Sequence, residues 1–271
     1  MQRYQDLRPS PDVVFPVDGK PLIIPFGLPC SGKTMLIKRL HGFLSSIYKS
    51  ELNPCSIKYV SHHQTRNQDT NEWIYLLNCL HENAPMHNGQ ISYMLTFRNL
   101  LNGETSCHFV DLPGEAFNWD NSAVWWTKYL ESLMATSNKK IWLFLIEKDG
   151  LENQQKRNEY TRIINRMLHN ISPKDKVLFV FNKADRYIDR YVRGKHINMM
   201  FFMQDIKEQC PNLFERYKNK GLSKFFKGEY SFDYTFFSSG VFTNTSYMRD
   251  EWSPSPDIYC ENLWKKIKAL L

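Results

Sequence analysis

The chain has 271 residues, 42% of them hydrophobic and 23% charged, and a formal net charge of +7, an ordinary globular balance with length enough for a substantial core. Its apolar runs, such as "IWLFLI" at 141–146, fall far short of the ~20 residues that cross a bilayer. The first residues lack the apolar stretch of a secretion signal, so a cytoplasmic protein is expected.

Residues 1–21 read as an irregular lead-in, Pro-rich over 8–21. A buried strand follows over 22–27, then a loop, then helical spacing of apolar residues over 33–50. A second strand is expected over 56–61, a polar loop after it and a helix over 71–83. Two strand-like runs at 91–99 and 105–112, joined through "LLNGE", predict a hairpin. An amphipathic helix over 121–137, a buried strand over 140–148, a helix over 152–171 and an apolar strand entering 176–185 come next. The remainder reads as a helix over 194–209, a basic stretch to about 228, a last strand over 232–240 and a terminal helix over 256–271. Strands that alternate with helices, apart from one hairpin, predict an α/β fold with a mostly parallel sheet in three layers. Residues 22–271 are expected to form one domain.

Six cysteines stand at 30, 55, 79, 107, 210 and 260 with no C-x-x-C pair. Reduced, buried thiols are expected, with neither zinc nor disulfides indicated. Cys30 differs because of its neighbours. "GLPCSGKT" at 27–34 has glycines spaced for a loop that wraps a phosphate chain, between a strand and a helix. Gly27, Pro29, Cys30, Ser31, Gly32, Lys33 and Thr34 would line it. Lys33 would reach the β- and γ-phosphates, and the Thr34 hydroxyl would bind Mg²⁺. Oxidation of Cys30 would then impair binding.

"DLPGE" at 111–115 ends a strand. Asp111 would hold Mg²⁺ through water, and Gly114 would let a backbone N–H approach the γ-phosphate. "NKAD" at 182–185 closes another apolar strand. A carboxylate at Asp185 accepts two N–H donors of guanine, a pair that adenine lacks; Asn182 supports the same edge, and the Lys183 stem packs over the base plane. All three motifs fall in order at the ends of expected strands, where ligands of α/β sheets bind.

On these motifs the chain resembles the Ras-like branch of the P-loop GTPases, over about residues 22–271. "DLPGE" is also similar to the double-GTPase families of bacterial regulatory and conflict systems. The resemblance implies GTP or GDP as ligand, Mg²⁺ as cofactor, and a base-contacting loop at Ser238–Ser239, within "FFSSG" (236–240). It also marks departures. The expected switch Thr is missing from "ENAPMHNGQ" (82–90); Thr65 and Thr70 lie far upstream in an insertion over about 61–90. Glu115 stands where many relatives carry a water-orienting Gln, either as a catalytic group or as a cap. No arginine finger can be named, although Arg66 lies in the right region. The adjacent His62 and His63 suit a surface better than a metal, and Trp125, Trp126 and the Met/Phe run 199–203 suit packing.

Lys33 and Glu115 are thus the expected catalytic residues of a slow, Mg²⁺-dependent GTPase that acts as a switch read by a protein effector or helped by an activating protein. A GTP-binding scaffold with little hydrolysis is the alternative. "NKAD" argues against an ATP-dependent enzyme. Residues 186–228 hold ten Lys/Arg and four Asp/Glu, which suits transient contact with an anionic membrane; nucleic acid is the less favoured partner.

Overall fold

The computed structural model describes residues 18–28, 31–47, 52–59, 93–99, 105–111, 128–148, 153–193, 196–210, 212–219, 231–244 and 250–271. Pro29, Cys30, the 61–90 insertion, the helix expected over 71–83, Gly114, Glu115, Trp125 and Trp126 lie outside these residues.

The described strands are β1 (Leu22–Phe26), β2 (Leu52–Tyr59), β3 (Tyr93–Asn99), β4 (Thr105–Asp111), β5 (Lys140–Glu147), β6 (Lys176–Asn182), β7 (Val192–Arg193), β8 (His196–Ile197), β9 (Asp233–Phe236), β10 (Gly240–Asn244) and β11 (Asp250–Pro254). The helices are α1 (Lys33–Ile47), α2 (Lys128–Ala135), α3 (Gln154–Asn170), α4 (Met199–Gln209) and α5 (Ile258–Leu270). Seven strands form one sheet in the order β2-β3-β4-β1-β5-β6-β9. β1, β4, β5, β6 and β9 are mutually parallel, and β3 runs against both β4 and β2. The mostly parallel sheet and the hairpin of the sequence reading are both present.

Alternation along the central strands builds two cores. Leu22, Ile24 and Phe26 of β1, Trp142, Phe144 and Ile146 of β5, and Phe179 and Phe181 of β6 point to one face. There they meet Leu133 of α2, Ile163 and Met167 of α3, and Phe202 and Ile206 of α4. Ile23, Ile141, Leu143, Leu145, Leu178 and Val180 point to the other, under Leu36, Leu40 and Leu44 of α1 and Leu263, Trp264 and Ile267 of α5. Period-two side chains buried on both sides produce the continuous apolar runs read in the sequence. The result is helix, sheet, helix.

Three expectations need correction. The strand expected over 56–61 begins at Leu52 and runs through Pro54, where the register with β3 shifts. Proline is tolerated there because β2 is an edge strand with a bulge. The helix expected from 194 begins at Met199, because the Asn198 side chain accepts from the Phe201 amide at 3.1 Å and caps it; the residues before it form the β7–β8 ribbon. Between the last sheet strand and the terminal helix stands an antiparallel hairpin, β10–β11, that the sequence reading lacks. No helix among the described residues is long and apolar enough to cross a membrane.

Candidate functional site

The parallel strands β1, β4, β5, β6 and β9 present their carboxyl ends along one edge of the sheet. Register sets what meets there: Phe26 of β1 lies opposite Phe144 of β5, and Glu147 of β5 opposite Asn182 of β6. Asp111, the end of β4, lies two residues beyond the last β1–β4 pairing, Ile23 with Phe109. Each motif of the sequence reading therefore starts from this edge.

The loop after β1 is shaped by its glycines. A Cβ on Gly27 would come within 2.6 Å of Ser31 Oγ and 3.1 Å of the Leu145 carbonyl. Gly32 has φ +85°, and a Cβ there would stand 2.8 Å from Asn182 Nδ2, so neither position has room for a side chain. Ser31 is fully buried, and its amide donates to the Leu28 carbonyl at 3.1 Å. The Leu36 amide then donates to the Gly32 carbonyl and opens α1. The loop thus delivers the chain into a helix N-terminus, whose dipole favours an anion.

Lys33, only 6% exposed, folds back over the loop and donates to the carbonyls of Gly27 at 3.1 Å and Leu28 at 3.0 Å. Its ammonium is held where the loop closes. Thr34 is half-buried beside it. The Ser31 hydroxyl and Asn182 Oδ1 are buried without a hydrogen-bond partner among the described residues.

Asn182 joins two of the motifs, because its Nδ2 donates to the Ser31 carbonyl at 2.7 Å. The chain then turns through Lys183 at φ 54°, the only non-glycine positive φ among the described residues. Such a conformation costs of order 1 kcal/mol and persists where surroundings over-determine it. Here the Lys183 ammonium pairs with the Glu147 carboxylate, and the Ala184 amide donates to the Phe237 carbonyl at 3.0 Å.

Asp185 is half-buried and accepts from the Ser238 hydroxyl. That hydroxyl in turn accepts from the Gly240 amide at 3.2 Å, so its direction is fixed and it holds the carboxylate. Ser239 follows it in the same loop. Burial and the charges of Asp185 and Asp189 hold the Tyr259 phenol above its ordinary pKa.

The geometry brings together Gly27, Ser31, Gly32, Lys33, Asn182, Lys183, Asp185 and Ser238. It adds Glu147, the partner of Lys183, which the sequence reading missed. A charged residue closing the buried run 141–146 was a legible signal for Glu147. Thr34 offers a hydroxyl, a hard oxygen donor of the kind Mg²⁺ takes when phosphates complete its shell, and Asp111 ends the strand β4 beside β1. Among the described residues no group of three or more His, Cys, Asp or Glu could hold a metal ion.

No family model and no curated protein matches the chain. Among solved structures it is similar to the S. cerevisiae Ski7 GTPase-like domain bound to GTP, at 15% identity and TM-score 0.42, over 94% of this chain and 51% of that one. It is also similar to a signal recognition particle receptor SRb-GTP/SRX complex from Chaetomium thermophilum, at 11% identity and TM-score 0.40, over 81% of this chain and 90% of that one. A third is Methanosarcina barkeri Roco2 RocCORdC bound to GDP, at 13% identity and TM-score 0.36, over 93% of this chain and 48% of that one. At these identities and scores the likeness decides nothing about the site, whose reading rests on its own residues.

Proposed function

We propose that the chain is a guanine-nucleotide-binding switch that hydrolyses GTP slowly. One observation carries the reading: the Asn182–Ser31 hydrogen bond ties the phosphate loop to the turn that bears Asp185, so one ligand spanning both motifs is held at two ends. Asp185, oriented by Ser238, would accept the N1 and 2-amino protons of guanine. The Lys183 stem, anchored by Glu147, would cover the base.

At the other end the loop amides and Lys33 would hold the phosphates. Thr34 and Asp111 would hold Mg²⁺, which when bound neutralises charge between the β- and γ-phosphates. Hydrolysis is in-line attack of water on the γ-phosphate, and the fixed donors stabilise the charge that develops. Glu115 is proposed to orient that water. Without an arginine finger, turnover of order 10⁻⁴ per second is expected until a partner supplies one. The missing switch Thr and the Glu at 115 also favour a second reading, a GTP-binding scaffold with negligible hydrolysis.

The first test is Mg²⁺-dependent binding of fluorescent GTP, ATP and XTP to the wild type and to Asp185→Asn. GTP selectivity that moves toward XTP in the variant supports the reading; equal binding of GTP and ATP, or none, overturns it. Single-turnover hydrolysis by wild type, Glu115→Gln and Glu115→Ala then separates switch from scaffold.

A further inference from the structure

The residues that hold the base-side loop from behind come from the opposite end of the sequence and from the phosphate-side helix. Arg39 lies on α1, six residues after Lys33. It is 8% exposed, and its Nη2 donates to the Ser255 carbonyl at 2.8 Å and to the Asp257 carboxylate. Ser255 is also buried, and its hydroxyl donates to the Ser238 carbonyl. Ser238 in turn presents its hydroxyl to Asp185. The contacts therefore run without a gap from α1 through Arg39, Ser255 and Ser238 to Asp185.

Two details show that this is a built arrangement. Asp257 occupies the cap position of α5, where an Asp side chain ordinarily bonds the first amides, yet it makes no such bond and is given over to Arg39. Ser255 is also the point where the β10–β11 hairpin returns to the base-side loop that it left at Gly240. The hairpin lengthens the connection between Ser239 and α5. Arg39 closes the base of that connection onto α1.

We infer that Arg39, with Asp257, is a positioning pair for base selection: it fixes Ser238 through Ser255 and so aligns the Asp185 carboxylate with the guanine edge. The inference rests on the guanine reading of Asp185. Because α1 also carries Lys33, the pair couples the phosphate grip to the base grip through one rigid helix.

The test compares Mg²⁺-dependent binding of GDP and IDP, whose base lacks the 2-amino group, to the full chain and to Arg39→Gln, Arg39→Lys and Asp257→Asn. The GDP-over-IDP ratio reports the alignment of Asp185, whereas a merely structural loss weakens both nucleotides alike. Arg39→Gln is expected to lower the ratio at least fivefold, Asp257→Asn to lower it in the same direction, and Arg39→Lys, which keeps the charge on Asp257, to restore part of it. An unchanged ratio in Asp257→Asn and in Arg39→Gln overturns the inference. Should Arg39→Gln fail to fold, Asp257→Asn decides alone, since that side chain is 59% exposed and bonds no helix amide. A wild type that binds both nucleotides without preference overturns the guanine reading itself, a result separate from either of these.

Discussion

His41 sits on α1, eight residues after Lys33, and burial pushes its imidazole down to about 4. The unfolded chain binds a proton there near pH 6.5, whereas the folded chain does so only near 4, so between those values acid favours unfolding. Its stability contribution is complete above pH 6.5 and is lost as pH falls toward 4. Urea unfolding at pH 7 and pH 5 should differ by ~2 kcal/mol from this group alone, and His41→Phe should remove that difference. At the same scale, the close turn at Gly27 and Gly32 was legible in the sequence because spacing alone implies a tight loop before a helix. Arg39 was not: a basic residue on a helix reads as solvated, and only packing against Ser255 and Asp257 gives it a task.

Among the elements, α4 shows how a cap sets a boundary. Apolar periodicity over 194–209 cannot say where the helix begins, since His196 and Ile197 serve a strand as readily. The Asn198 side chain decides it by taking the Phe201 amide. Asn198→Ala is expected to lower stability by ~1 kcal/mol, read as a shift in denaturant midpoint with unchanged slope. The β10–β11 hairpin escaped the sequence reading for a related reason. Its strands are short, and "GVFTN" and "DEWSP" mix polar, acidic and proline residues that signal loops as strongly as strands. Pairing across Phe242–Trp252 and Thr243–Glu251 makes them a ribbon. The strands β1, β5 and β6 were readable because burial on both faces demands unbroken apolar runs.

For the whole molecule, the two halves of the proposed ligand site belong to different parts of the chain: β1 and α1 supply the phosphate end, β6, β9 and the loop before α5 the base end. A ligand that touches both should stabilise the protein as one unit. GDP with Mg²⁺ at one hundred times its dissociation constant is expected to add ~2.7 kcal/mol, visible as a raised thermal midpoint. ADP at the same concentration is expected to add nothing. Equal shifts with both nucleotides would mean that only the phosphate end is engaged.

What the sequence determined by itself was the layered α/β class and the three motifs at strand ends, because each rests on local rules: alternation, helical spacing, and glycines where a backbone must approach closely. What the tertiary structure decided was how those motifs are held to one another. The Asn182–Ser31 bond spans 151 residues and the Arg39–Ser255 bond 216, and the strand order β4-β1-β5-β6-β9 that places their ends side by side is set by crossovers. Local propensity carries no information about such pairings; they follow only once both faces of the sheet are covered and each strand has its neighbours.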